Sequence, residues 1–339
     1  MRFGLFDQVE QPGGVPLHRV YDDHLELAVA AEAAGFESYH KSEHHHVPLD
    51  ATPSINLFLA ALTQRTSTLR IGSLVHLLPF YEPMRLYEEL CILDHLSSGR
   101  IEFGFGKGVS PPEHMLWHID RSEIEARTAE CLNIVLAAMT QHASEGDGTR
   151  FTHNGEFWSY EEAPLEVGPF QTPHPPLWRP GTLDTAAEMG VNTIAAGPIS
   201  MVEDSVARYR SLEQPGIAPH QATTVSALRR IHIAPTDEEA MARARAAWAT
   251  LDANLTKLFR RYEVWPPHVP SFKGDFDKGL ATESVIVGSP TTVAAHFEEL
   301  AAAAGTDHCM VCLSWGDLWG DEVRRSLDLF AEHVIEPLS

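Results

Sequence analysis

The sequence predicts a (β/α)8 TIM barrel with insertions, a single α/β domain over residues 1–339, and three observations predict it. Short β-rich runs alternate with amphipathic helices along the whole chain, the pattern of a parallel sheet with crossover helices. About eight such units fit into 339 residues, which suits one α/β barrel. No G-x-G-x-x-G follows the first strand signal, where a dinucleotide-binding open sheet requires one, so a doubly wound sheet is the lesser alternative.

The elements follow in order. Arg2–Phe6 reads as the first strand, and a helix over Val20–Ala34 stops at Gly35. Glu37–Lys41 is a second strand, Pro53–Thr63 a helix and Leu69–Val75 a third strand. Leu86, Leu90 and Leu93 place one apolar stripe on a helix over Arg85–Leu96, and Arg100–Phe105 is the fourth strand. Ser122 to Glu125 has the spacing of a capping box that opens a helix to about Met139. Leu177–Arg179 is a brief strand, Leu183–Met189 a helix stopped by Gly190, Asn192–Ala196 a strand and Val202–Leu212 a helix. Thr223–Ile233 is a strand, and Thr236 to Glu239 is a second capping box opening a helix to about Leu258. Val285–Val287 is a strand, followed by Ser289 as N-cap and Pro290 at the first helical position. Val293, Phe297, Leu300, Ala301 and Ala304 form the stripe of that helix, then Asp307–Leu313 is a strand and Val323–Val334 the closing helix. Two stretches break the rhythm: residues 140–176, with a hairpin-like pattern of Phe151, Phe157, Trp158 and Tyr160, and residues 259–283. Long irregular segments in a compact domain usually carry function.

Composition narrows the partners. Hydrophobic residues are 44% and charged residues 21%, which excludes a disordered chain. Acidic residues outnumber basic ones 47 to 25, a formal charge of -22, which repels phosphate backbones and argues against nucleic-acid binding. No apolar run reaches the roughly 18–20 residues of a membrane span, and Met1–Phe6 lacks the layout of a signal peptide. The expectation is a cytoplasmic protein that does not engage membranes. Four cysteines do not make a disulfide scaffold. Cys309 and Cys312 are spaced C-x-x-C, but on a strand residues three apart point to opposite faces, so they read as packing.

In a barrel, chemistry gathers at the carboxyl ends of the strands. Glu43-His44-His45-His46 follows the second strand. It reads as a solvated loop, as an H-x-H metal pair of His44 and His46, or as a general-base site, since histidine titrates near neutral pH. No His–Asp set appears at the later strand ends to complete a metal site, so no metal is expected. Phe103-Gly-Phe-Gly-Lys-Gly108 puts Lys107 amid glycines 104, 106 and 108, either a plain strand-to-helix turn or a backbone that approaches an anion closely. Pro180-Gly181-Thr182 precedes a helix and is either a second phosphate donor or a simple cap. Leu77-Leu78-Pro79-Phe80-Tyr81, after His76, is either core or a wall for a flat aromatic cofactor. His76, Tyr81 and Trp178 are the substrate-pocket candidates.

With these motifs in place, the chain resembles the bacterial luciferase-like flavin monooxygenases. The resemblance rests on Met1–Phe6, Ala31-Glu-Ala-Ala-Gly-Phe36 and Glu43-His44-His45, then on Arg70-Ile-Gly72 with Leu78-Pro79 and Pro83-Met-Arg85. It continues through Leu93-Asp-His-Leu-Ser-Ser-Gly-Arg100, Phe103-Gly104 and Gly106-Lys-Gly108, and ends at Val287-Gly-Ser-Pro290. It implies a metal-free barrel that takes reduced FMN from a separate flavin reductase and adds oxygen to give a flavin 4a-hydroperoxide, which oxygenates a small organic substrate. It implies His44 as the catalytic group, within the cluster with Glu43 and His45. Lys107 stands where the family has a phosphate-binding arginine, which keeps the charge and loses the bidentate fork. Gly106 stands where luciferase has a reactive cysteine, which argues against light emission. Arg179, Gly181 and Thr182 replace a serine-rich stretch, with Gly106, Gly108 and Val75 completing the cofactor-binding set. A non-proline cis peptide is implied near Leu74-Val75, a mobile loop over the flavin at 259–283 with Trp265, Phe272 and Phe276 as apolar cover, and a homodimer through the helices near Pro53–Thr63 and Arg85–Leu96. The alternatives are a deazaflavin-dependent oxidoreductase on the same fold and a non-catalytic flavin-binding relative.

Overall fold

Strand β1, Arg2–Asp7, is buried along all but its first residue and pairs in parallel on both sides, with β2 (Ser38–Lys41) and with the last strand of the chain. A first strand joined to the last is the mark of a closed sheet. This computed structural model describes residues 1–214, 223–266 and 275–338. From β2 the ring continues through β3 (Arg70–Ser73), with β4 (His76–Leu77) a short extension beside β5 (Ile101–Gly106). The antiparallel hairpin β6 (Thr149–Asn154) and β7 (Ser159–Leu165) stands apart from the ring. The ring resumes at β8 (Leu177–Trp178), crosses one bridge from Trp178 to Asn192, and passes β9 (Thr193–Ala195) to β10 (Val225–Ile233). The far end of β10 carries β11 (Val285–Gly288), and β12 (His308–Cys312) closes onto β1. Every pairing outside the hairpin is parallel. The closed barrel excludes the doubly wound sheet.

The helices bury the stripes that the sequence marks. Leu86, Leu90 and Leu93 are buried on Pro83–Leu96, and Val293, Phe297 and Leu300 on Pro290–Ala303. Phe297 and Phe330 meet the Phe3 ring edge-on at 5.7 and 5.2 Å, fastening two outer helices to β1. Gly190 ends the helix Leu183–Met189 in the left-handed conformation, and the Thr236 hydroxyl caps the helix Asp237–Tyr262 through the Glu239 N–H. Cys309 and Cys312 are buried free thiols, each pushed up to about 12 by burial. Among the described residues no helix is long and apolar enough to cross a membrane.

Three expectations fail for local reasons. The capping box at Ser122 does not form. Asp120 takes both the N–H and the hydroxyl of Ser122, and the helix begins at Ile124 instead. The strand expected over Leu69–Val75 stops at Ser73 and resumes at His76, and the Leu74–Val75 peptide between them is cis. The closing helix runs from Asp321 to Phe330, then passes into a π turn over Ala331–Ile335. A short helix over Pro111–Leu116, which periodicity did not suggest, follows β5.

Candidate active site

The ends of β2, β3 and β5 converge on the Glu43–His46 loop. Lys41, the last residue of β2, is fully buried, and its ammonium meets the Asp50 carboxylate at 2.6 and 2.8 Å and the Ser42 carbonyl at 2.7 Å. Asp50 also accepts the N–H groups of Thr52 and His44, at 2.8 and 3.2 Å. A buried pair breaks even only when its remaining donors and acceptors are used, as they are here. This pair pins the backbone of His44. Neither Lys41 nor Asp50 was marked from sequence. The signal was present as a lysine at a strand end, a position where an isolated charge is costly.

The three residues grouped as catalytic separate into two roles. Glu43 is buried: Oε1 meets His45 Nε2 at 2.9 Å, and Oε2 accepts the Leu77 N–H at 3.1 Å and the Tyr81 hydroxyl at 2.9 Å. The His45 ring lies edge-on to Phe80 and Trp117. Both side chains fasten the loop to the β4 region through these bonds. His44 is different. It is partly exposed, and Nδ1 lies 3.4 Å from Oε1 of Glu113, a buried carboxylate on the short helix Pro111–Leu116. Burial alone would lower the His44 pKa, but the Glu113 hydrogen bond and charge outweigh it and raise it. His44 thus combines access with a charge partner. Glu113 went unnoticed in the sequence because its helix did. His46 is exposed with φ +62° and its ring near Trp117, so the H-x-H pair is turned to separate partners. Among the described residues no group of three or more His, Cys, Asp or Glu side chains is arranged to hold a metal.

The pocket candidates are likewise bonded within the protein. His76 is fully buried, with Nδ1 2.6 Å from the Ser73 hydroxyl and Nε2 2.7 Å from Asn56 Oδ1, and burial lowers its pKa to about 4. Trp178 is buried and its indole N–H donates to Glu102 at 2.6 Å. Tyr81 spends its hydroxyl on Glu43, and burial raises its pKa well above the usual value. These side chains brace the strand ends, and their polar atoms are already engaged within the protein.

The cofactor-binding set falls into two groups. In the first, Val75 follows the cis peptide, at the position the resemblance gives. A Cβ on Gly104 would sit 2.0 Å from the Ser73 carbonyl oxygen, and one on Gly106 would sit 2.8 Å from Val75 Cγ2. These glycines therefore admit the neighbouring chain, where the sequence suggested that they admit a ligand. Gly108 has φ +79°, which favours glycine. In the second group, the Lys107 ammonium is half-exposed and paired with the Glu125 carboxylate on the first turn of helix Ile124–Glu145. Arg179 feels the same Glu125 charge, although burial lowers its pKa on balance. Its Nε donates to the Thr182 hydroxyl at 2.9 Å, and its guanidinium lies 5.5 Å from the Phe105 ring centroid. Gly181, with φ +83°, turns the chain between them. Lys107 thus pairs with a carboxylate whose charge also reaches Arg179, a chain-borne anion where the resemblance expects a phosphate. Of the expected loop cover, Phe276 is instead packed edge-on against Trp248 in the interior, Trp265 lies 5.6 Å from Phe259, and Phe272 lies outside the described residues.

The fold agrees with the comparisons. The family model for luciferase-like monooxygenases matches residues 1–308. The chain belongs to the luciferase-like monooxygenase family. It is 34% identical to an uncharacterised protein of Sinorhizobium fredii, over 94% of this chain and 92% of that one. It is 26% identical to the oxygenase component of flavin-dependent trigonelline monooxygenase of Acinetobacter baylyi, over 71% of this chain and 67% of that one. The oxygenating constituent of 3,6-diketocamphane monooxygenase of Pseudomonas putida, solved with FMN, superimposes with a TM-score of 0.78 at 20% identity, covering 98% and 97% of the two chains. The fold also extends to a coenzyme F420-dependent tetrahydromethanopterin reductase of Methanopyrus kandleri, TM-score 0.70 at 17% identity, covering 100% and 99%. This luciferase-like monooxygenase shares its barrel with enzymes of both cofactor types.

Proposed function

We propose that this luciferase-like monooxygenase is the oxygenase of a two-component system, using reduced FMN delivered by a separate reductase to oxygenate a small, largely apolar organic substrate. The observation that carries the reading is the Lys107–Glu125 ion pair with a second cation, Arg179, within the field of the same carboxylate and bonded to the Thr182 hydroxyl, at the strand ends beside the Leu74–Val75 peptide. Two cations near one anion, with a hydroxyl beside the second cation, suit a phosphate monoester. Lys107, Arg179 and Thr182 would hold the phosphate, and the Leu74–Val75 segment, with Gly106 and Gly108 behind it, would back the ring. Bound reduced flavin supplies the electrons that activate oxygen. The protein's part is to place that chemistry away from water and to manage a proton at His44. Glu113 holds the imidazole through Nδ1, leaving Nε2 for transfer. The cover expected from 259–283 falls in part on residues 267–274, which lie outside the described residues. Single-domain boundaries at 1–339 and an insert at 140–176 complete the layout.

Homodimerisation belongs to the same proposal. Leu57 is 74% exposed on the helix Ile55–Thr63, and Ile92 and Leu96 are 49% and 45% exposed on Pro83–Leu96. These apolar side chains lie on the two helices named for the subunit contact, and a second copy would cover them. The proposal places the enzyme in the cytoplasm, where reduced flavin is made.

Anaerobic titration with reduced FMN, followed by admission of oxygen, tests the reading. Micromolar binding with oxygen consumption tied to substrate oxidation is expected. Absence of binding to both oxidised and reduced FMN would remove it. Turnover that consumes no oxygen would transfer it to the deazaflavin class that the shared fold keeps in view.

A further inference from the structure

The helix Asp237–Tyr262 packs over residues just past the carboxyl ends of two strands. Its Asn254 donates to Glu10, beyond β1, at 2.6 Å, and Arg243 meets Asp317, beyond β12, at 2.7 Å. The Ala247 carbonyl presses so close to Gly316 that a Cβ there would lie 2.1 Å from it. Beneath this helix lies a cavity of about 10 Å³, lined by Arg230, Trp248, Leu251, Asp252 and Leu255. That is room for one oxygen-sized group.

Two residues that line this cavity carry buried donors without a partner, Nε of Arg230 and Nε1 of Trp248. Buried indole N–H groups normally find an acceptor, and the other buried tryptophans obey. Trp178 donates to Glu102 at 2.6 Å, and Trp315 to the Ile231 carbonyl at 3.1 Å. Trp248 is held between Phe276 and Trp315, at ring distances of 5.8 and 6.4 Å, so it is not free to turn toward another acceptor. The Arg230 guanidinium is anchored at its far end, where NH2 donates to Gln8 Oε1 at 3.1 Å. The nearby carboxyls bond elsewhere and not to these two donors: Glu10 receives Asn254 and the Gly316 N–H, and Asp252 receives Arg260 at 2.7 Å.

We propose that Arg230 Nε–H and Trp248 Nε1–H form a subsite for one neutral oxygen acceptor, a carbonyl oxygen of the substrate. Calling the ligand a substrate rests on the monooxygenase reading; the subsite itself does not. A neutral oxygen fits better than a carboxylate. The walls from Leu251 and Leu255 are apolar, and the carboxyl groups of Glu10 and Asp252 already stand beside the Arg230 charge. Two N–H donors on one carbonyl fix its orientation without a full countercharge. The subsite therefore selects ketones, aldehydes or amides over hydrocarbons of the same shape.

The test uses the flavin-free full chain labelled with 15N at its indoles, with the Trp248 signal assigned by its loss in Trp248→Phe. Cyclohexanone is expected to shift that signal along a saturable curve, and methylcyclohexane to leave it in place. Arg230→Lys, which keeps the charge but removes Nε–H, is expected to weaken the cyclohexanone response about tenfold. No shift with cyclohexanone, or the same shift with methylcyclohexane, overturns the subsite, as does a bound water that the ketone does not displace. The wild-type titration decides even where a variant fails to fold. FMN binding measured on the same sample separates the two readings. A ketone response without flavin binding keeps the subsite and removes the monooxygenase proposal, and flavin binding without a ketone response does the reverse.

Discussion

At the ends of β2, β3 and β5 the polar side chains satisfy one another: Glu43 takes three donors, His76 uses both ring nitrogens, and Lys41 is enclosed by Asp50 and Ser42. Beneath the helix Asp237–Tyr262, Arg230 and Trp248 keep buried donors without acceptors. The contrast separates two ways of building a mouth. One side is finished by the chain itself, so that His44 stands accessible on a fixed support. The other is left incomplete at a cost in free energy, which a ligand can offset.

The comparison can be broken on its finished side first. His44→Ala is expected to leave flavin affinity nearly intact and cut substrate oxidation by roughly 10²–10⁴-fold; an unchanged rate in single-turnover measurements would remove His44 from the chemistry. Gly104→Ala comes next. Its Cβ would lie 2.0 Å from the Ser73 carbonyl oxygen, so the β3 end must shift, at about 1–3 kcal/mol. A denaturant titration showing unchanged stability would mean that this contact is looser than described.

Across the mouth, Glu10 sharpens the contrast. Burial raises its pKa to about 7 from the ordinary 4.5. A carboxyl raised on folding contributes stability that is full below the unfolded pKa and is lost as pH rises through the folded one. Stability should therefore fall between about pH 4.5 and 7. Glu10→Gln should remove that slope and gain about 3 kcal/mol at pH 8, with the Asn254 amide turning to accept from the new donor. Parallel slopes for both proteins in melting against pH would exclude Glu10 as the source. The smallest effect is at the anion cluster, where both partners are exposed and screened. Lys107→Ala should weaken reduced FMN about tenfold and Glu125→Gln should strengthen it a few-fold, both differences shrinking in high salt. Equal affinity for Lys107→Ala would take Lys107 out of the phosphate site.

What was legible in the sequence follows the same division. Helix stripes such as Leu86-Leu90-Leu93 and stops such as Gly190 are local signals, and the structure keeps them. The Ser122 capping box was equally local, but Asp120 two residues earlier competed for the same hydroxyl and won. His44 stood out by type and position, whereas its partner Glu113 lies about 70 residues away and is brought in by tertiary folding. Glu43 and His45 stood out in the sequence as members of a polar cluster, but their bonds to the β4 region became visible only with Leu77 and Tyr81 in place. Arg230 and Trp248 carried no motif at all, since an unmet hydrogen bond is a property of surroundings.

The barrel is joined between β8 and β9 by a single bridge, Trp178 to Asn192, flanked by the Arg179 N–H to Asn192 carbonyl bond at 2.8 Å. Every other junction of the ring has two or more paired residues. Opening should therefore begin at this seam, and Arg179 sits on it. A phosphate gripped by Arg179 and Lys107 would span the β5 and β8 ends beside the seam and act as a buckle. Amide hydrogens of Arg179 and Asn192 would then exchange more slowly with cofactor bound, so that loading the enzyme also closes the weakest stave of its own barrel.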